Sequence, residues 1–428
     1  MELFNHVLSI INNVIIITFS VAFGFQLIYI FLFFLKTKKY KISEKKHRIG
    51  VIVSARNESL VIQDVILSLQ NQNYPKELFD FFIIADNCTD NTAMVARSLG
   101  AIVFERFDDD KNHHRVSYAL KFGFEKILQE YDNYDFFIRF DADNVVDCNY
   151  LSKMNDCFSS GAKLAKGYNN AKNLTDNPIS CISGLWYIRD NRFNCHVRSA
   201  LRLSQLLNGP GMMVSADIIR KNGGWIDMGI SEDADFTLSE LLKGNDAEYV
   251  ADAILYDDQP TTIKDTFRRN MRMGRGLIQT FFKYGLRCLL KFFKTFKFKY
   301  LDMFLTESFI PLALIAVIWF PLYYIYMVVF NGVTGNHEEM FIILDTLWKI
   351  LVFAFIIPFI FQAILVYVLE YKRINTPFIK VLPGIILFPF FMILYALGIT
   401  CGILFKAKWK PIKRSKAKYE IYDNKQGD

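Results

Sequence analysis

The sequence predicts an α/β domain built on a mostly parallel sheet and carried between helical membrane-spanning segments. Three observations predict it. Residues 49–140 alternate short apolar runs with stretches of helical spacing, the pattern of a parallel sheet with helices on both faces. Four charge-free apolar runs, residues 7–35, 308–330, 350–369 and 381–405, each reach the length of a bilayer span, which takes about 20 residues. The 428 residues are 52% hydrophobic and 22% charged, and the two kinds are segregated along the chain.

The first apolar run is too long for the h-region of a cleaved targeting peptide, about 7–15 residues, and reads as a transmembrane helix at residues 7–35. Lys36, Lys38, Lys39, Lys41, Lys45, Lys46 and Arg48 follow it at once. A basic flank stays on the cytoplasmic side, so the N-terminus is expected outside and the next domain inside. That domain is expected over residues 48–280. Its first strand is the IGVIVSA run at residues 49–55. Leu60, Ile62, Val65, Ile66 and Leu69 predict a helix over residues 59–70. After Pro75 a second strand covers residues 79–85, and a helix at 91–99 stops at Gly100. Strand 101–105, helix 115–129 and strand 134–140 complete the alternation. Residues 179–207 read as helical, a short helix from Ser215 ends at Gly223, and SEDADFTLSELLKG at residues 231–244 reads as a helix capped by Ser231 and ended by Gly244.

Beyond the domain, basic residues such as Lys283, Arg287, Lys291 and Lys294 alternate with Phe281, Phe282, Leu290 and Phe293. Such a mixture suits an amphipathic helix on an anionic leaflet, expected at residues 281–302. A membrane bundle over 303–405 and a basic cytoplasmic tail over 406–428 follow. Four crossings from outside would leave that tail outside, against its charge. Pro383 and Pro389 are expected to break the last apolar run into a re-entrant or interfacial pair. The protein is thus expected to be a multi-pass protein of the cell membrane with a cytoplasmic domain. The seven cysteines show no metal-ligand spacing, and neither disulfides nor zinc is expected. The net charge of +7 clusters beside the membrane runs, so nucleic acid is not an expected partner. Oligomeric state is not readable.

The ends of the predicted strands carry the chemistry. They are Arg56-Asn57-Glu58, Asp86-Asn87 and Asp141-Ala142-Asp143, and parallel sheets bind ligands beyond their carboxyl ends. Asp141 and Asp143, one residue apart, suit a hard cation such as Mg²⁺ or Mn²⁺ against a diphosphate. Asp233, at a helix start, has two readings: it complements the helix dipole, or it serves as a general base. His113 and His114, on a polar loop after Asp108-Asp109-Asp110, read as solvated.

In this order the motifs VIVSARNES, ADNCTDNTAMVAR (residues 85–97), Asp141-Ala142-Asp143 and Ser231-Glu232-Asp233 resemble the membrane-embedded family 2 glycosyltransferases with a GT-A fold. That family includes hyaluronan, chitin-oligosaccharide, poly-N-acetylglucosamine and cellulose synthases. WKPIKR at residues 409–414 is also similar to bacterial members. The resemblance implies inverting transfer from a UDP-sugar, with UDP-N-acetylglucosamine favoured by the second motif. The acceptor would be a glycan or a lipid-linked group at the bilayer. It gives Glu58 and Asp86 to uridine recognition, Asp141 and Asp143 to the metal and diphosphate, and Asp233, with Glu232 beside it, to catalysis. The family's Gln-x-x-Arg-Trp falls on Arg269 to Met273: Arg269 and Arg272 are implied at the diphosphate, while Met273 replaces the tryptophan that seats an acceptor sugar. Val116-Ser117 replaces a frequent Lys-Gly pair. These departures leave polymer synthesis and single glycolipid transfer both open. Two other classes, a transporter and an inactive scaffold of a glycan-export complex, share the membrane block.

Overall fold

A computed structural model describes residues 2–131 and 133–405; the expected basic tail, 406–428, lies outside the described residues. The chain divides into two compact units. One is helical and takes residues up to 32, 177–185 and those described from 261 onward; the other is α/β and takes 33–176 and 186–260. The elements in chain order are α1 (Glu2–Phe31), β1 (Ile49–Ala55), α2 (Ile62–Gln70), β2 (Phe79–Asp86), α3 (Thr92–Ser98), β3 (Ile102–Arg106), α4 (Val116–Glu130), β4 (Phe136–Asp141), β5 (Val145–Val146) and α5 (Tyr150–Ser159). Then come β6 (Leu164–Ala171), α6 (Pro178–Arg189), α7 (His196–Ala200), β7 (Met212–Ser215), α8 (Ala216–Asn222), α9 (Glu232–Lys243) and β8 (Ala247–Asp257). The helical part continues with α10 (Ile263–Thr280), α11 (Leu286–Thr295), α12 (Phe298–Val333), α13 (His337–Lys349), α14 (Ile357–Leu369), α15 (Tyr371–Ile374) and α16 (Phe378–Leu404).

In the α/β unit the eight strands form one sheet in the order β3-β2-β1-β4-β7-β6-β8-β5. The β3-β2-β1-β4 block is parallel throughout, as is β6 with β8; β7 runs antiparallel to both its neighbours. A parallel strand covered on both faces reads as an unbroken apolar run, which is why IGVIVSA becomes central β1. Its alternate residues serve two cores. Val51 and Val53 pack with Ile62, Val65 and Ile66 of α2, and Ile52 packs with Phe82, Leu120 and Phe124 on the α4 side. The expected helix over 179–207 is instead shorter: α6 passes through a widened π-helical turn at Asp190–Cys195 into α7, which ends at Ala200 before Arg202 turns left-handed (φ 56).

Among the described residues, four helices in the helical unit are long and apolar enough to cross a membrane: Leu3–Phe31, Phe298–Val333, His337–Leu369 and Phe378–Leu404. The last corrects the expected break, since Pro383 and Pro389 both lie inside continuous α16. Each proline removes one backbone hydrogen bond, and packing of α16 against α10 and α14 keeps the helix whole. The expected amphipathic helix at 281–302 is also corrected. It ends at Thr295, where Phe296 is left-handed (φ 51), and residues from Phe298 belong to α12. Residues 298–302 are drawn into α12 because Tyr300, Asp302 and Met303 are buried there and Asp302 accepts a hydrogen bond from the Tyr29 hydroxyl of α1. Phe282, Leu286, Leu290 and Phe293 form the exposed apolar face that remains.

Helix α10, expected to close the α/β domain, groups with the helical unit. Its backbone meets that of α16 through glycines. A Cβ on Gly274 would stand 2.6 Å from the Ile399 backbone, and one on Gly402 would collide with the carbonyl of Met271. Gly398 and Gly402 are four apart on α16, the small-residue spacing that lets membrane helices touch. Replacing Gly402 with leucine is therefore expected to separate α10 from α16 and lower the melting temperature of the protein in detergent-lipid micelles. Gly24→Leu, at a position with nothing within 4 Å of its Cβ, is the control and should leave that temperature in place.

Candidate active site

Because β1, β2 and β4 are parallel neighbours, their carboxyl ends lie along one edge of the sheet. The loops that leave β1 and β2 are stitched together there. Asn57 (φ 56) and Asn87 (φ 51) take the left-handed turn that asparagine tolerates. The Asn57 side-chain oxygen accepts from the Thr89 backbone N–H at 2.7 Å, and the Thr92 hydroxyl accepts from the Glu58 N–H at 2.9 Å. Asp90 accepts from the Ser59 N–H at 3.2 Å and from the Thr92 hydroxyl at 2.5 Å. Burial alone would raise the Asp90 carboxyl, but the hydrogen bonds from Thr92 and Ser59 outweigh it and hold the group below its ordinary value. VIVSARNES and ADNCTDNT thus behave as one hydrogen-bonded unit that presents Glu58, which is half-buried.

Asp86 ends β2 and is buried. It is held by Arg106 of β3 at 2.5 Å and by the Asn87 side chain at 2.8 Å. The second Arg106 nitrogen reaches Asp108, also at 2.5 Å. His113 and His114, read from the sequence as solvated, are only half-buried but make specific contacts that lock the loop that follows. His113 Nδ1 lies 3.0 Å from Asp108, and its ring stacks on Tyr118. His114 Nδ1 faces the Arg56 guanidinium at 2.9 Å, so it accepts, and its Nε2 is left to donate to the Asp108 carbonyl at 2.7 Å.

The Asp-x-Asp turn is braced from below. Fully buried Asn144 accepts from the Asp141 N–H at 2.8 Å and donates to Asp257 at the end of β8 at 3.0 Å. Lys172, after β6, pairs at 2.5 Å with Asp64 of α2, and neither side chain is more than 1% exposed. The same ammonium lies 3.5 Å from the Asp143 carbonyl. Asp143 is buried, and Asp141 keeps a third of its side chain open.

Glu232 and Asp233 open α9, where the helix dipole favours carboxylates. Ser231 occupies the cap position but makes no side-chain cap bond, contrary to the sequence reading. The first turn is tied elsewhere: Asp233 accepts from the Gly209 N–H and, at 2.8 Å, from the Ala234 N–H. The neighbouring Asn208 accepts from buried Lys166 of β6.

Arg139 joins these parts. In a strand alternate residues share a face, so Arg139 stands on the side of β4 that carries Asp141. Its guanidinium lies 3.3 Å from Asp141 and 3.0 Å from Glu232, with 8% of the side chain exposed. Burial opposes its charge, but Asp141, then Glu232 and Asp233, more than offset this and hold the guanidinium above its ordinary value. The strand end and the helix start therefore belong to one electrostatic site. Sequence reasoning passed over Arg139, although a charged residue inside FFIRF was a visible signal. It also missed the Lys172–Asp64 pair and Asn144, which no motif marks. Arg269 and Arg272 are carried by the helical unit on α10, the first half-buried and the second exposed.

Residues 50–178 match the family model described as glycosyl transferase family 2, and residues 136–361, more than half of the chain, match that of glycosyl transferase family group 2. The chain belongs to the family 2 glycosyltransferases. It is 27% identical over 246 residues to a Bacillus subtilis protein named "Probable glycosyltransferase YdaM", with 54% of this chain and 55% of the relative covered. It is 25% identical over 245 residues to a beta-monoglucosyldiacylglycerol synthase of Nostoc, covering 55% and 50%. The chain thus spans about half the length of the curated relatives it matches. Among solved structures, the mannosyltransferase PcManGT of Pyrobaculum calidifontis, in complex with GDP-Man and Mn²⁺, superposes over 92% of this glycosyltransferase and 99% of its own chain. Its TM-score is 0.55 at 13% identity. That likeness supports the GT-A fold read from the sequence.

Proposed function

We propose that this protein transfers a sugar, with inversion, from a UDP-sugar to a lipid or glycan acceptor at the cell membrane, with its α/β unit on the cytoplasmic face of a multi-pass helical anchor. The observation that carries the reading is the single buried guanidinium of Arg139 between Asp141 and Glu232. It supports a donor-phosphate clamp and a base-bearing helix start acting on one substrate pair.

Asp233 is assigned as the base. Its two backbone hydrogen bonds orient the carboxylate, which takes the proton from an acceptor hydroxyl as that oxygen attacks the anomeric carbon from the face opposite UDP. Glu232 holds the turn through Arg139. Glu58 and Asp86 are assigned to the uridine, and Arg269 and Arg272 to the diphosphate, by resemblance. Asp141 and Asp143 offer hard carboxylate oxygens. Among the described residues no group of three or more His, Cys, Asp or Glu gathers as a closed metal cage. This donor set fits Mg²⁺ or Mn²⁺, which leave several positions to water and phosphate. Bound there, such a cation supplies charge neutralisation for the leaving diphosphate.

A single transfer to a lipid is favoured over polymer synthesis. Met273 lacks the ring on which an acceptor sugar would stack, and one relative carries the name of a glycolipid synthase. Membranes containing the protein, given Mn²⁺ and a panel of UDP-sugars beginning with UDP-N-acetylglucosamine, should release UDP and yield a short glycolipid by mass spectrometry. Asp143→Asn should abolish the release. No UDP release from any donor, with or without added lipid acceptor, would leave the scaffold reading in its place, and a ladder of long products would restore the polymer reading.

A further inference from the structure

An arginine inside a buried strand is costly: its charge leaves water, and any nitrogen without a partner adds to the cost. Arg139 carries that cost. Its Nε is buried without a hydrogen-bond partner, and its Nη1, though 3.0 Å from Glu232, does not meet hydrogen-bond geometry. Its neighbour on the same face of β4, Phe137, is buried and apolar, so an aliphatic side chain would suit that face of the core better. What an aliphatic chain cannot do is reach two carboxylates on two elements at once. A guanidinium can, because its nitrogens form a rigid planar fork. One prong lies at Asp141, at the carboxyl end of β4, and the other at Glu232, the first residue of α9.

We propose that Arg139 is a positioning residue that sets the spacing between the Asp141 end of β4 and the Glu232-Asp233 turn, and through it the reach of the base to the acceptor hydroxyl. The inference rests on the proposed transfer reaction. Arg139 is itself shielded from solvent, and its partner Asp141, assigned to the metal and diphosphate, keeps a second tie to Asn144 through its own backbone N–H. The effect should therefore fall more heavily on turnover than on donor affinity. Misplacing a reacting group by about 1 Å can cost about 10²-fold in rate.

The test uses the full-length protein in detergent-lipid micelles with Mn²⁺ and the best UDP-sugar donor. Arg139→Gln is expected to lower kcat by about 10²-fold with a much smaller change in the KM for donor and the Kd for UDP. Glu232→Gln should lower kcat to a similar degree, and the double variant should be no worse than the worse single one, because both changes cut the same link. Arg139→Lys keeps the charge without the fork; it guards against a misfolded glutamine variant and should bind UDP normally while remaining slow. Equal losses in UDP affinity and kcat, losses that multiply in the double variant, or full activity of Arg139→Lys would each overturn the positioning role. Wild-type protein that transfers nothing from any donor would instead overturn the underlying reaction, and the proposal with it.

Discussion

Asp233→Asn should reduce turnover by about 10²–10⁴-fold, the usual share of a positioned general base, while UDP affinity stays unchanged. Asparagine keeps an acceptor oxygen for the Gly209 or Ala234 N–H, so the turn can hold its shape. It cannot take a proton. The prediction separates the two readings that the sequence left open for this residue. If Asp233 served only the helix dipole, its removal would cost about 0.3–1 kcal/mol of helix stability and little rate. Steady-state UDP release beside calorimetric UDP binding decides between them, and a fully active Asp233→Asn would remove the base assignment.

Lys172→Met should cost about 3–5 kcal/mol of stability, because it strands a buried carboxylate without its cation. Asp64 is 1% exposed and cannot turn to water. A further loss of donor binding is expected, since the same ammonium approaches the Asp143 carbonyl and helps shape that turn. The double variant Asp64→Leu/Lys172→Met tests the cause. Replacing a whole buried pair with apolar groups is often neutral or stabilising, so its melting temperature should recover toward wild type. Donor affinity should recover only in part. A Lys172→Met protein as stable as wild type would show that the pair carries little.

Much of the fold could be read from the chain. Apolar runs of strand length separated by amphipathic stretches gave β1 to β4 with their helices within three residues, because parallel strands buried on both faces leave an unbroken apolar signature. Gly223 and Gly244 ended α8 and α9 where expected, both in the left-handed conformation. The later part was less legible. The region after α6 has helical composition, yet the chain turns at Arg202. The prolines of α16 signalled a break that packing against α10 and α14 removes.

The sequence by itself determined which carboxylates stand at strand ends and which open a helix, since strand and helix periodicity are local properties. It determined, by length and hydropathy, the helices that could enter a membrane. It could not bring residues far apart along the chain together. Only the tertiary structure decided that Arg139 spans Asp141 and Glu232, that Lys172 and Asp64 brace the Asp143 turn, and that Asp86 is already met by Arg106. It also decided that α10 sides with α16, through glycines whose missing side chains let two backbones touch. These outcomes are set by packing and by the need of each buried charge for a partner, and neither leaves a periodic trace in the sequence.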